Sequence, residues 1–198
     1  MRTRFFMMTV LLALVGFTAP PAIAKNVQVE VSNKALANMT WEIFAGGCIE
    51  NSTNLAGWAN KQIYIRKAKI DDKSKIAGLW KNLGYPVPDE LVDMWGTIGK
   101  KVWLYQHQNQ GCTVTSSANV STQMIESAFE NLGKSYEAKN QMHYKLDSKS
   151  GKNTSVVLLT MGMELKQKTY LLARILPNNK AGIKIILYQF KTDKGVGI

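Results

Sequence analysis

The sequence contains only two cysteines and two histidines in 198 residues, and this scarcity argues against most metal and nucleophile sites. A structural zinc site needs about four nitrogen, sulfur or oxygen ligands at a recognisable spacing, and the chain has no CxxC, HxxxH or HExxH pattern. The GxSxG, SxxK, Walker, GxGxxG and EF-hand patterns are absent too. We therefore predict no metal, no cofactor and no catalytic residue, and we favour a protein that is not an enzyme.

The N-terminal apolar run, Phe5 to Phe17, is too short for a membrane-spanning helix, which takes roughly 20 residues. It follows two arginines and precedes the small-x-small sequence Ala22-Ile23-Ala24, an order that is typical of a signal peptide. We predict that residues 1–24 are cleaved off and that residues 25–198 form the mature protein in the periplasm or outside the cell. No membrane span is expected after cleavage.

Cys48 lies in the stretch FAGGCIEN, whose Ala-Gly-Gly-Cys resembles the lipid-attachment box of a bacterial lipoprotein. A lipobox cysteine directly follows the apolar segment of a signal peptide, whereas Cys48 lies 31 residues beyond Phe17, with charged residues between them. The other cysteine is Cys112, and two cysteines in an exported protein most simply form a disulfide. Closing a loop of about 64 residues is worth roughly 4 kcal/mol on the chain-entropy model. A nucleophile paired with His107 and a metal ligand are the weaker alternatives.

Arginine is scarce, although the chain is strongly basic. Without the two arginines of the predicted signal peptide, 23 basic residues oppose 14 acidic ones, and only Arg66 and Arg174 among them are arginines. Lysine is a hydrated point charge, whereas bidentate recognition of phosphates and bases usually uses arginine. We therefore expect no nucleic-acid partner. The lysines are scattered, which favours a solvated surface over a site for anionic lipid, acidic envelope polymer or acidic protein.

Helical spacing predicts a largely helical N-terminal half, because apolar residues recur at three- and four-residue intervals and glycines follow several of these stretches. The predicted helices are residues 33–44, ended by Gly46-Gly47; residues 74–84; a helix that begins at Pro88 in VPDELVDMWG; and residues 121–133, closed by Gly133. Short strands are predicted at residues 27–31, 101–106 and 112–117.

From residue 141 onward the apolar period changes to two, which predicts strands. Four strands, at residues 142–147, 154–163, 168–176 and 183–190, are separated by short connections. Connections of this length join neighbouring antiparallel strands, so the four strands should form a meander. The predicted fold is a single α+β domain, in which a helical N-terminal half packs on a C-terminal four-stranded antiparallel meander.

The best candidate for a contact surface is the mixed-charge segment YIRKAKIDDKSK, residues 64–75. All five tryptophans fall between residues 41 and 103; tryptophans mostly fill cores, and the one in NLAGWANK is the best candidate for an exception. The predicted partner surface consists of Trp58, Tyr64, Arg66, Lys67, Lys69, Lys73 and Lys75. The alternative is an ordinary solvated connection between helices.

Several short motifs carry a family resemblance. Cys48, AGWA, Trp95, VWLY and GCTVTSS, followed by an amphipathic helix, resemble a family of small uncharacterised exported proteins and lipoproteins of Gram-negative bacteria. The resemblance covers roughly residues 40–135, and the absence of a lipobox departs from the lipidated members. It implies an envelope location and a core with paired cysteines, and it transfers no catalytic residue.

These features predict an exported, non-catalytic envelope protein that binds a protein partner, for example an inhibitor, an immunity-like protein or an accessory subunit. The prediction rests on the missing catalytic motifs, the compact disulfide-bonded domain and the mixed-charge segment. One alternative is an envelope-acting hydrolase that uses His107 or His143 with a nearby carboxylate. Another is a binder of an anionic envelope polymer or lipid.

Overall fold

The centre of the molecule is one antiparallel sheet of eight strands, with helices packed on one of its faces. The computed structural model describes residues 32–68, 91–97, 99–107, 111–140, 143–162, 168–176 and 182–192. The strands are β1 (Ile65–Lys67), β2 (Leu91–Thr97), β3 (Val102–His107), β4 (Cys112–Ser116), β5 (His143–Ser150), β6 (Ser155–Gly162), β7 (Lys168–Ile175) and β8 (Ile185–Thr192). The helical elements are α1 (Asn33–Ile43), a π-helical segment (Phe44–Glu50), a 3-10 turn (Ser52–Asn54), α2 (Leu55–Ala59) and α3 (Thr122–Asn140).

The strands are ordered β1-β2-β3-β4-β8-β7-β6-β5, and each neighbouring pair is antiparallel. The first four strands follow one another across the sheet, and after α3 the chain continues at the opposite edge and returns toward the middle. The return ends with β8 beside β4, where Val114 lies opposite Leu187. Because β4 and β8 pair, the two halves of the chain share one continuous sheet.

The predicted fold class is wrong, because the sheet has eight strands and half of them come from the N-terminal part of the chain. The sequence predicts a helix that begins at Pro88, but Leu91–Thr97 is strand β2. The neighbouring residues Met94 and Trp95 are both fully buried, and they pair with Tyr105 and Leu104 of β3. Since successive residues of a strand point to opposite faces, burial on both faces removes the apolar–polar alternation by which a strand is recognised.

The larger core lies between the helices and one face of the sheet. Helix α1 is fixed there by a buried hydrogen bond of 2.8 Å between the hydroxyls of Thr40 and Ser116 of β4. The Trp41 ring of α1 lies 6.1 Å from the ring of Phe129 in α3, so the two long helices meet over the sheet. The opposite face carries a second cluster around Met94, Tyr105 and Ile186.

Two helices continue through the glycines that are predicted to end them. Helix α3 extends past Gly133 to Asn140, and a Cβ at Gly133 would lie 2.6 Å from the Tyr144 ring of β5. At Gly46 and Gly47 the chain forms the π-helical segment, and the Trp58 ring occupies the space that a Cβ at either position would need. These glycines therefore allow an aromatic ring to approach the helix, and they do not stop it.

Several predicted segments lie outside the described residues, namely the signal peptide 1–24, the strand 27–31 and the helix 74–84. Among the others, the strands predicted at 101–106 and 112–117 are confirmed as β3 and β4. The four strands predicted near the C-terminus lie at the positions of β5 to β8. Of the helices that the structure describes, none is long and apolar enough to cross a membrane.

Candidate functional site

The predicted disulfide is confirmed, and it joins the π-helical segment to the middle of the sheet. Cys48 lies in that segment, Cys112 is the first residue of β4, and both side chains are buried. Neither cysteine has a free thiol, so a cysteine nucleophile and a cysteine-ligated metal are both excluded. A disulfide of this kind is typical of the periplasm and of extracellular proteins, which are oxidising environments.

A cavity of about 220 Å³ lies near the disulfide. Its lining comes from four parts of the fold: the π-helical segment and 3-10 turn, helix α3, and strands β6, β7 and β8. The lining residues are Ile49, Ser52, Tyr136, Met161, Thr169, Gln189 and Lys191. The strand residues form a floor, because Met161 lies opposite Thr169 and Thr169 is the residue next to Lys191's partner Lys191 itself in the β7–β8 register. Apolar and hydrogen-bonding side chains therefore line one cavity between two helical elements and the sheet.

Gln189 is the most unusual residue of this cavity. It pairs with Cys112 across the β4–β8 junction, and its side chain is only 3 % exposed. Its Oε1 atom is buried and has no hydrogen-bond partner in the structure. A buried acceptor that lacks a donor costs about 1–3 kcal/mol, so the native fold retains an unfavourable group at this point.

Tyr136 of α3 adds a hydroxyl to the cavity. Burial raises the pKa of Tyr136, and the negative charge of Glu50 raises it further. The phenol therefore keeps its proton at neutral pH, where it is able to donate a hydrogen bond. Lys191, whose side chain is exposed, places a cationic group in the lining of the same cavity.

The predicted partner surface is only partly described, because Lys69, Lys73 and Lys75 lie outside the described residues. Trp58 of α2 is half-buried, and its ring packs over Gly46 and Gly47 next to the larger core. That packing makes the Trp58 ring part of the wall that supports the π-helical segment.

The other described residues of the predicted surface follow α2 and lead into edge strand β1. Tyr64 is half-buried, and burial, followed by the charge of Glu42, raises the pKa of its phenol. Arg66 is exposed and donates a 2.9 Å hydrogen bond from Nη1 to the carbonyl of Ile65. Lys67 forms an ion pair of 2.9 Å with Asp93 of β2. The structure therefore brings Tyr64, Arg66 and Lys67 to one edge of the sheet.

Sequence reasoning missed Ile63, which lies in the same turn and is 82 % exposed. An isoleucine this exposed is a departure from the usual distribution, in which isoleucine is among the most buried residue types. The signal in the sequence is weak, because Ile63 in NKQIYIRK looks like the start of the apolar alternation that continues with Ile65. Gln189 was missed as well, although it occupies the inward-facing position after Ile185 and Leu187 in β8.

The two histidines do not meet. His107 ends β3, where its Nε2 lies 2.8 Å from the Thr113 hydroxyl, and burial lowers the pKa of its imidazole. His143 begins β5 at the far edge of the sheet, and its Nδ1 lies 3.8 Å from a carboxylate oxygen of Glu137. Within the part of the chain that the structure describes, no three histidine, cysteine, aspartate or glutamate residues are grouped as metal ligands would be.

The residues that carry the resemblance to exported Gram-negative proteins lie around the disulfide. Trp58 packs beside the segment that holds Cys48, and Trp95 donates a 3.3 Å hydrogen bond from Nε1 to Oδ1 of Asn60, just after α2. The resemblance itself stays a prediction. No protein-family model, no curated protein and no solved structure matches this chain.

Proposed function

We propose that this is an exported, non-catalytic binding protein of the cell envelope, which engages a protein partner through the turn after α2 and edge strand β1. We call the residues Ile63, Tyr64, Arg66 and Lys67 the edge surface. The partner class would be an envelope-acting enzyme that the protein inhibits or protects against, or a complex that it joins as an accessory subunit. The observation that supports the proposal most directly is the 82 % exposure of Ile63 among cationic and aromatic neighbours.

The apolar part of the edge surface would supply most of the binding free energy. Burying an isoleucine side chain that starts exposed gains about 1.5–3 kcal/mol. Interface energy is usually concentrated in a few such anchors, with tyrosine and arginine enriched among them. Ile63, Tyr64 and Arg66 are consecutive or nearly so in the chain, which places one anchor of each type within a short segment.

The charged part of the edge surface would select an acidic partner. Arg66 is exposed and bonded to its own backbone, so a partner carboxylate would compete only with that contact. Lys67 is already paired with Asp93, and its side chain is still 57 % exposed. Charges at the rim of an interface mainly speed association, so binding should weaken as salt rises.

The location belongs to the same proposal. The Cys48–Cys112 disulfide supports an oxidising compartment, and we place the mature protein, cut after Ala24, in the periplasm. N-terminal sequencing of protein recovered from the envelope fraction tests the cleavage site. Recovery of the chain from the cytosol with residues 1–24 attached would contradict this part of the proposal.

The decisive experiment compares two exposed apolar residues. Ile63→Asp places a charge in the edge surface, and Met124→Asp makes the same change on α3, where Met124 is 54 % exposed. Cross-linked complexes are captured from the envelope with the wild-type protein and both variants, and the dissociation constant of the recovered partner is then measured. We expect Ile63→Asp to weaken binding by roughly tenfold or more, since about 1.4 kcal/mol is a factor of ten, and Met124→Asp to bind as the wild type does. A partner that binds all three proteins equally would rule out the edge surface.

A further inference from the structure

We infer that the cavity beside the disulfide is a binding site for a small zwitterion of the amino-acid class, one with an apolar side chain. The site uses none of the residues of the edge surface, so it adds a small-molecule ligand to the proposed protein-binding function. Nothing in the proposal depends on the identity of the protein partner.

The first step is the unsatisfied acceptor. Gln189 is 97 % buried, lines the cavity, and has an Oε1 atom without a donor. Three hydroxyl groups line the same cavity, and none of them bonds to that oxygen. Because a lone buried acceptor is costly, the favourable partner is a group that enters from outside the chain and carries an N–H or O–H donor. The ammonium of a zwitterion is such a donor, and its charge strengthens the bond.

The second step is the cation in the lining. Lys191 and Gln189 are two residues apart in β8, so their side chains project from the same face at positions roughly 7 Å apart along the strand. A hydrogen bond takes up about 2.8 Å at each end, so a ligand whose ammonium and carboxylate flank a single carbon is short enough to reach both. Lysine pairs with a carboxylate as a point charge. The negative charge of Glu50, which acts on the nearby Tyr136, favours the ammonium on the other side.

The third step is size and polarity. A cavity of 150 Å³ lined by apolar groups holds benzene, and this one measures about 220 Å³, which is room for roughly nine heavy atoms. Ile49 and Met161 offer apolar contacts in the same lining, while Ser52 and Thr169 offer hydroxyls. A leucine-sized amino acid matches this volume and this mixture of groups.

The test uses the disulfide-bonded mature protein and three probes, measured by isothermal titration calorimetry. The probes are leucine, 4-methylpentanoate, which lacks the ammonium, and 3-methylbutylamine, which lacks the carboxylate. We expect leucine to bind roughly tenfold or more tightly than either truncated compound, because each of them loses one charge-assisted contact. If none of the three binds at about 10 mM, the cavity holds water only, and the inference is overturned.

Two variants assign the contacts. Gln189→Leu removes the acceptor at similar volume and should reduce leucine affinity by roughly tenfold or more, while the fold keeps or gains stability because an unpaired buried group is lost. The matched control is Gln106→Leu, since Gln106 pairs with Cys112 from the opposite side and does not line the cavity. Unchanged leucine affinity in Gln189→Leu would refute the site.

The second variant covers the case in which Gln189→Leu does not fold. Lys191→Gln changes an exposed residue, so it should leave the fold intact. It should weaken the binding of leucine and 4-methylpentanoate and leave that of 3-methylbutylamine unchanged. Equal loss for all three probes, or no loss for any of them, would contradict the assigned role of Lys191.

Discussion

The two halves of the sheet are built in different ways. The C-terminal strands β5 to β8 are each eight residues long and follow one another as neighbours. The N-terminal strands β1 to β4 have three to seven residues, and the helical segments that pack with them are tied to the sheet by a disulfide between residues 64 positions apart. The C-terminal half thus rests on local pairing, whereas the N-terminal half depends on contacts between distant parts of the chain, which are entropically more costly to form.

The largest effect should come from removing the tie that holds the N-terminal half. Replacing both cysteines, Cys48→Ala with Cys112→Ala, should lower the free energy of unfolding by about 2–5 kcal/mol, because the unfolded chain regains the freedom of a long loop. Urea unfolding measures the loss, and reduction of the wild-type protein serves as the control, since it breaks the same bond without a substitution.

Hydrogen exchange makes the same change a test of the comparison. In the cysteine-free variant, amides of β2 and β3 should lose more protection than those of β6 and β7, because only the former lie in the half that depends on the disulfide. Equal loss of protection in all four strands would show that the sheet unfolds as one unit, and the contrast between the halves would then be structural only.

The next effect concerns the C-terminal half, where α3 packs on β5. Gly133→Ala would place a Cβ 2.6 Å from the Tyr144 ring, which is too close for contact. Overpacking of this kind costs about 1–3 kcal/mol, and the better helix propensity of alanine returns up to about 1 kcal/mol. We expect a net loss of stability in thermal or urea unfolding.

A double variant separates the two contributions. In a Tyr144→Leu background the ring is gone, so Gly133→Ala should become neutral or stabilising, as it is at an ordinary helix position. If Gly133→Ala stabilises the protein with Tyr144 in place, the close approach of the ring to the helix does not constrain this position.

The same contrast explains how much of the fold is predictable from the sequence. The strands β5 to β8 lie where the period-two pattern places them, and the disulfide follows from two cysteines in a chain with an export signal. Strand β2 is not predictable in this way, because Met94 and Trp95 are buried on opposite faces and Pro88 with its acidic neighbours mimics a helix start. Glycine signals fail at Gly133 for a further reason, since the ring that needs the space lies on another element.

The candidate sites show the same limit. Three of the residues predicted for a contact surface, Tyr64, Arg66 and Lys67, do lie at one sheet edge, because they are neighbours in the chain. The cavity lining comes from segments between Ile49 and Lys191, and no local pattern joins residues so far apart. The one local signal is a glutamine at the inward position of β8, and its meaning depends on knowing that its Oε1 finds no donor.

The smallest effect is a pH dependence that should arise in the N-terminal half. Burial lowers the pKa of His107 below its ordinary value of 6.5, so the folded state binds this proton less readily than the unfolded state does. Stability from this group is complete above pH 6.5 and declines as pH falls from 6.5 toward the folded-state pKa, because the unfolded chain takes up the proton first. His107→Gln cannot titrate, so its unfolding free energy should fall less steeply than that of the wild type over this range.

The other histidine provides the control for that measurement. His143→Gln removes an exposed side chain at the opposite edge of the sheet and leaves His107 in place, so the acid-side decline should persist. Urea midpoints between about pH 5 and pH 7.5 are enough to compare the three proteins, since this interval spans the ordinary histidine pKa. A His107→Gln variant with the same slope as the wild type would mean that carboxylates, and not this buried imidazole, set the acid sensitivity of the fold.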